Sequence, residues 1–203
     1  AYARAVTLDP AFEYCTNWLV DLELDAGELD RADEYLTRAL AHEPSAFLLA
    51  RRVLICGKRK QRAEAIDVFR KTLEQPQPNA WPINAGLETL IELGAEAEAI
   101  EALRTASIRQ GGEVACEKFI EICAAKGHWV DGEAHLQKTQ GSVRHAGLQQ
   151  LLRSMAERGQ GERVLALTKR RREELAGDPL TWGVAGYALC SLPLTRLNGI
   201  QWM

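Results

Sequence analysis

The residues best suited to binding a metal are two cysteines and two histidines in the second half of the chain. Cys116 and Cys123 lie seven residues apart, and His128 and His135 have the same spacing. Structural zinc sites favour paired ligands about two to four residues apart. A spacing of seven places both side chains on one stripe of a helix, which serves packing equally well. We therefore expect buried cysteines, surface histidines and no metal.

Motifs for catalysis are missing from the sequence. It contains no phosphate-binding G-x-x-x-x-G-K loop, no G-x-G-x-x-G after a strand and no G-x-S-x-G nucleophile elbow. We therefore expect this fragment to be no enzyme and to carry no cofactor. The five cysteines are odd in number and include no C-x-x-C pair, which favours reduced thiols in a cytoplasmic protein.

Two basic runs could contact phosphate groups. One is the run Lys169–Arg172, and the other comprises six residues: Arg51, Arg52, Lys58, Arg59, Lys60 and Arg62. We favour the alternative that they form a solvated face balanced by Asp25, Glu28 and Glu173. The net charge is −3 and the isoelectric point is near 5.9, whereas nucleic-acid modules are usually basic. No apolar run approaches the roughly 18 residues that span a bilayer. We expect neither a nucleic-acid nor a membrane partner.

A repeat of about 33 residues organises the chain. The small and large apolar residues Ala32, Leu36 and Leu40 recur as Ala65, Phe69 and Leu73, then as Ala99, Leu103 and Ser107, and more weakly as Gly132, Leu136 and Gln140. Between them lie apolar sets with helical spacing, such as Cys116, Phe119, Ile120 and Cys123. Strand alternation is absent. The pattern predicts an all-α protein built from helical hairpins, each of which buries its apolar face against the next.

These motifs resemble the tetratricopeptide repeat. The segment Trp182-x2-Ala185-Gly186-x2-Leu189 is similar to its W-x2-L-G-x2-Y motif. Ala65-x3-Phe69 is similar to A-x3-F, and Pro44, twelve residues after Ala32, to the closing proline. The resemblance covers roughly residues 1–190, although Gly132 and the run Lys169–Arg172 depart from it. It implies a right-handed α-solenoid of antiparallel helical hairpins.

The resemblance divides the chain into a repeat domain, 1–192, and a remainder, 193–203. Within the repeat domain we expect a half repeat over 1–10, then repeats over 11–44, 45–78, 79–112, 113–141 and 142–179, and the first helix of a further repeat over 180–192. Residues 193–203 are expected to be a cap or the start of a following domain.

The family's first helices line a concave groove, which implies a binding surface beside the packing stripe of each first helix. The residues predicted to line it are Tyr14, Asn17, Asp21, Arg51, Lys58, Trp81, Asn84, Glu88, Glu92, Glu117, Glu121, Gln149, Arg153 and Tyr187. Amide and aromatic side chains suit an extended peptide, and the carboxylates make the middle of the groove acidic. We expect a basic or polar partner segment; the alternative is that these carboxylates are merely exposed helix residues.

Three functions remain open at this point. The main hypothesis is a protein–protein interaction scaffold, which could also form homodimers through its end repeats. The second is a substrate-docking region of a larger enzyme, because families with this repeat are often joined to glycosyltransferase or sulfotransferase domains. The third is RNA binding by helical repeats, which requires a basic groove that the charge balance does not supply.

Overall fold

The computed structural model describes residues 12–76 and 79–192 together with positions 2, 4, 6 and 9. Within this part all regular structure is helical, and twelve α-helices pack sequentially, which confirms the all-α prediction. The segment 193–203 and most of 1–10 lie outside the described residues. The helices are α1 Glu13–Ala26, α2 Leu29–His42, α3 Ala46–Lys58, α4 Arg62–Glu74, α5 Trp81–Glu92, α6 Glu96–Ala106, α7 Glu113–Ala125, α8 Trp129–Leu136, α9 Gly141–Glu157, α10 Gly161–Arg170, α11 Arg172–Ala176 and α12 Pro179–Cys190.

The chain separates into two compact units. The N-terminal unit is Ala1–Ala106 and the C-terminal unit is Ser107–Met203. In the N-terminal unit α1 packs on α2 and α3, α3 packs on α4 and α5, and α4 packs on α5 and α6. In the C-terminal unit α7 packs on α8 and α9, and α9 packs on α8, α10 and α12. Each helix therefore contacts mainly its neighbours in the sequence; the boundaries of the repeats stay a prediction.

Small residues bring the helices of the N-terminal unit close together. The side chains of Ala32, Ala65 and Ala99 are fully buried. On α5, a Cβ atom at Gly86 would lie 2.4 Å from Cδ2 of the buried Phe69 on α4. This separation is shorter than van der Waals contact, so the packing of α4 against α5 requires glycine at position 86.

The turns between paired helices use the left-handed backbone region. Gly27, which ends α1, has φ 81°, and its counterparts in three later turns are also glycines with positive φ. The turn between α3 and α4 differs, because Lys60 adopts φ 58° there. A side chain in this region is strained, since its Cβ crowds the backbone, whereas glycine is not.

The histidine prediction was wrong for His135. His128 is exposed, but only 6% of His135 is exposed, on α8 of the C-terminal unit. Its Nε2 lies 2.6 Å from the Ser107 hydroxyl, and its ring centroid is 4.5 Å from that of Phe119. The hydrogen bond and the ring contact together compensate for moving a polar ring out of water.

The cysteines are free thiols, and four of them are buried. Burial raises the pKa of Cys56 and Cys123 to about 11 and that of Cys116 to about 12. Across the described ranges no three histidine, cysteine or acidic side chains are grouped so that they could hold a metal ion. Nor does any helix in those ranges combine the length and apolar character needed to cross a membrane.

Candidate functional site

A groove of about 520 Å³ runs along α1, α3 and α5 of the N-terminal unit. Five of the residues predicted from the sequence line it: Asp21, Lys58, Trp81, Glu88 and Glu92. Side chains that sequence reasoning missed complete the lining: Leu24, Asp25, Leu54, Ala85 and Thr89. The structure thus brings residues from three separate helices, 71 positions apart at the extremes, into one concave surface.

Local hydrogen bonds fix where two of these helices begin. The side chain of Ser45 caps α3 by accepting from the backbone N–H of Leu48 at 3.2 Å. The same hydroxyl donates to Oε1 of Glu13 at 2.8 Å and so ties the start of α3 to the start of α1. At α5, the Asn79 side chain accepts from the N–H of Trp81 at 2.9 Å, and Pro82 occupies the first turn. Such caps compensate for backbone donors that the first turn leaves unpaired.

Trp81 forms a rigid platform at one end of the groove. Its ring stacks on that of Phe47, with centroids 5.8 Å apart and an angle of 25° between the planes. The guanidinium carbon of Arg51 lies 4.7 Å from the centroid of the Trp81 ring. About 39% of Trp81 stays exposed. An aromatic ring held in this way offers contact area without losing conformational entropy on binding.

Arg51 is buried next to the groove and is not among the residues that line it. Only 7% of the residue is exposed. Its Nε and Nη2 donate to the two carboxylate oxygens of Asp21 at 2.8 and 2.6 Å, and its Nη1 donates to the carbonyl of Phe47 at 3.2 Å. This bidentate pair joins α1 to α3 and leaves the guanidinium with little capacity to bind a ligand. The prediction that Arg51 lines the groove therefore needs correction, because its partner Asp21 draws it inward.

The groove has an apolar floor and an acidic rim. Leu24, Leu54 and Ala85 form the floor. The rim carries Asp25, Glu88 and Glu92, all exposed, against the single cation Lys58. Because Asp21 is neutralised by Arg51, the free charges of the rim sum to −2. A surface of this kind attracts a cationic segment and also accepts its apolar side chains.

Two asparagines predicted to line the groove lie beside it with unusual hydrogen bonding. Asn17 on α1 donates from Nδ2 to Glu13 at 3.4 Å. The Oδ1 atoms of Asn17 and Asn84 are buried and, among the described residues, receive no hydrogen bond. A buried acceptor without a donor costs free energy, so a peptide N–H or a water that reached these atoms would bind favourably.

The remaining predicted residues lie on α1 and on helices of the C-terminal unit. Tyr14 is 59% exposed on α1 and its ring contacts that of Trp18. In the C-terminal unit, Glu117 and Glu121 lie on α7, Gln149 and Arg153 on α9, and Tyr187 on α12. The predicted carboxylates are thus divided between the two units.

Contacts within the C-terminal unit constrain several of these side chains. Gln149 donates to the hydroxyl of Thr181 at 3.0 Å, and Glu121 pairs with Lys118 at 3.0 Å. Partial burial raises the pKa of Glu117, the positive charge of Arg153 acts in the opposite direction, and Glu113 adds to the rise. Tyr187 remains 68% exposed.

The sequence did contain a signal for one residue that we missed. Phe47 lies 33 residues after Tyr14 and 34 before Trp81, so the three aromatic residues share one position of the repeat. Applying the repeat to exposed positions as well as to buried ones identifies Phe47 as part of the platform. Asp25 follows Asp21 by four residues, which places both on the same face of α1. Comparison of the chain with protein-family models, with curated proteins and with solved structures gives no match.

Proposed function

We propose that this chain is a protein–protein interaction module that binds a basic segment of another protein along α1, α3 and α5. In this proposal the helix pairs are tetratricopeptide-like hairpins stacked into a right-handed α-solenoid. The chain itself performs no chemistry and needs no cofactor.

The turns support the repeat on which this proposal depends. Residues with positive φ end the first helix of successive pairs at Gly27, Lys60, Gly94, Gly127 and Gly159. Their spacings are 33, 34, 33 and 32 residues, close to the period of the apolar pattern. The turn residues and the buried apolar residues are different positions of the sequence, so the agreement of their two periods favours a structural repeat.

The observation that carries the proposed function is the acidic rim next to a pre-formed aromatic platform. A bound lysine or arginine would meet Asp25, Glu88 and Glu92, while the exposed part of the Trp81 ring would pack against its aliphatic stem. The platform is already stacked on Phe47, so binding would not have to order it. Aromatic contact gives affinity, and the carboxylates select for charge.

The test measures the binding of basic, neutral and acidic peptides of equal length by fluorescence anisotropy. Each peptide is titrated with the unmodified protein and with the double variant Glu88→Gln/Glu92→Gln. We expect only the basic peptides to bind and the double variant to weaken binding about 2- to 30-fold at low salt, since two rim charges contribute about 0.2–1 kcal/mol each. Raising the salt concentration should shrink that difference, because rim charges are screened.

The matched control is Glu64→Gln/Glu101→Gln, which removes two exposed carboxylates from α4 and α6, outside the groove. It changes the net charge equally and should leave binding unchanged. Equal binding of all three peptide classes, or equal loss in the control variant, would show that the rim does not select the partner.

A further inference from the structure

A second concave site lies in the C-terminal unit, among α8, α9, α10 and α11. It is a cavity of about 880 Å³, and the described residues that line it are all charged or amide-bearing. Five of them are cations: Arg144, Lys169, Arg170, Arg171 and Arg172. Three are carboxylates: Glu133, Glu173 and Glu174. A lining of this composition suits a strongly hydrophilic ligand.

A break between two helices lets four consecutive basic residues face one cavity. In a continuous helix, successive side chains are rotated by about 100° and cannot share a side. Here α10 ends at Arg170 and α11 begins at Arg172. The residue between them, Arg171, has φ −110° and ψ 23°, outside helical geometry. The change of direction at Arg171 turns the whole run Lys169–Arg172 towards the cavity.

Carboxylates hold three of the guanidinium groups in fixed positions. Glu174 accepts from Nη2 of Arg144 at 3.0 Å and from Nη1 of Arg171 at 2.9 Å. Glu133 accepts from Nη2 of Arg170 at 2.6 Å and lies 3.8 Å from Nε of Arg171. The side chain of Arg171 is only 9% exposed. The network therefore holds these guanidinium groups in place before any ligand arrives, and the N–H groups that the carboxylates do not use are the donors left for a ligand. Such prior positioning reduces the entropy cost of binding.

The lining of the cavity is positive in an acidic chain. Five cations and three carboxylates line it, a sum of +2, whereas the net charge of the chain is −3. A concave surface whose charge is opposite in sign to that of the whole chain attracts a ligand of the complementary charge, in this case an anion.

We propose that this cavity binds a phosphate-bearing ligand, through a dianionic phosphate or diphosphate group. Guanidinium groups match phosphate oxygens with paired N–H donors, and Lys169, exposed at the rim, adds a mobile positive charge. The basic residues are gathered in one cavity, which favours a compact phosphate group over an extended nucleic-acid strand. This site is separate from the acidic groove and does not depend on the function proposed for it.

The test measures binding of inorganic phosphate and pyrophosphate by isothermal titration calorimetry, with chloride holding the ionic strength constant. We expect both anions to bind, pyrophosphate more tightly. The double variant Lys169→Gln/Arg172→Gln should weaken binding about tenfold or more, as loss of charge-assisted hydrogen bonds does. Lys169→Arg should retain binding, because it keeps the charge.

Two further measurements separate the sources of the phosphate and the competing explanations. The control Arg158→Gln/Arg163→Gln removes two exposed cations from the same unit, and binding should survive it. A phosphoserine peptide that displaces phosphate when its unphosphorylated form does not identifies a modified protein as the source; displacement by free phosphate esters alone identifies a small molecule. The proposal fails if neither anion binds, if the control loses as much as the double variant, or if RNA binds and phosphate does not compete with it.

Discussion

The groove of the N-terminal unit and the cavity of the C-terminal unit are both formed by helices that pack on their sequence neighbours, but their charges are opposite. The groove places Asp25, Glu88 and Glu92 around an apolar floor. The cavity gathers five cations and no described apolar side chain. In each case one arginine side chain is only 9% exposed and is held by carboxylates: Arg51 by Asp21, and Arg171 by Glu133 and Glu174.

The difference shows how little of each surface is determined by packing. The buried positions carry small and large apolar residues in both units, such as Ala65 and Phe69 in one and Leu148 and Leu151 in the other. Positions beside that stripe make few contacts and can carry either charge without changing the helix packing. If both proposals hold, two units whose helices pack in the same sequential way bind ligands of opposite charge.

The largest expected effect tests that shared packing. Ala99 on α6 is fully buried, so Ala99→Glu would place a carboxylate among apolar side chains without a partner. We expect the free energy of unfolding to fall by about 3–5 kcal/mol, the range for a buried unpaired charge. Urea unfolding followed by circular dichroism measures this loss.

The control for Ala99→Glu lies two residues away. Ala97 is exposed on the same helix, so Ala97→Glu adds the same charge to the surface and should change stability by less than about 0.5 kcal/mol. Similar stability losses in the two variants would mean that α6 does not pack as described, and that the comparison between the units has no common basis.

A smaller effect distinguishes the two units by their glycines. Gly86→Ala would drive a methyl group to within 2.4 Å of the Phe69 ring, whereas a Cβ at Gly132 on α8 would meet Ile120 at 3.4 Å. We expect Gly86→Ala to lower the free energy of unfolding by about 1–3 kcal/mol, as overpacking does. Gly132→Ala should be neutral or stabilise by up to about 1 kcal/mol, because alanine favours helix. Thermal unfolding curves of the two variants measure this difference. A higher melting temperature for Gly86→Ala than for Gly132→Ala would contradict the prediction.

The sequence predicts the parts of this structure that depend on local periodicity. Helix pairs and the turn at Gly27 follow from patterns within one repeat, and five groove residues follow from helical spacing combined with the groove that the tetratricopeptide resemblance implies. The burial of Arg51 could not be predicted in this way, because its partner Asp21 lies 30 residues away on another helix. The burial of His135 could not be predicted for the same reason. Its hydrogen-bond partner in the core, the hydroxyl of Ser107, lies 28 residues earlier.

The cavity in the C-terminal unit could not be predicted from local periodicity either. Taken alone, the run Lys169–Arg172 indicates a charged helix face exposed to solvent. In the structure the run lines a cavity. The reason is that the helix is interrupted at Arg171, between α10 and α11, and that Glu133 and Glu174 form ion pairs with Arg171. Glu133 lies 38 positions before Arg171, so a pattern with a period of a few residues carries no information about it.

The smallest expected effect concerns the one turn of the series in which glycine is replaced. Lys60 adopts φ 58°, whereas its counterpart Gly27 adopts φ 81° without a side chain. Because Cβ crowds the backbone in this region, Lys60→Gly should raise the free energy of unfolding by up to about 1 kcal/mol. The gain is limited, since glycine also increases the entropy of the unfolded chain. The reciprocal variant Gly27→Ala should destabilise by a similar amount, and no atom within 4 Å obstructs its methyl group, so no steric clash adds to the backbone strain. Thermal unfolding of both variants decides the matter: a stability loss in Lys60→Gly would mean that the lysine side chain contributes more at this turn than its strained backbone costs.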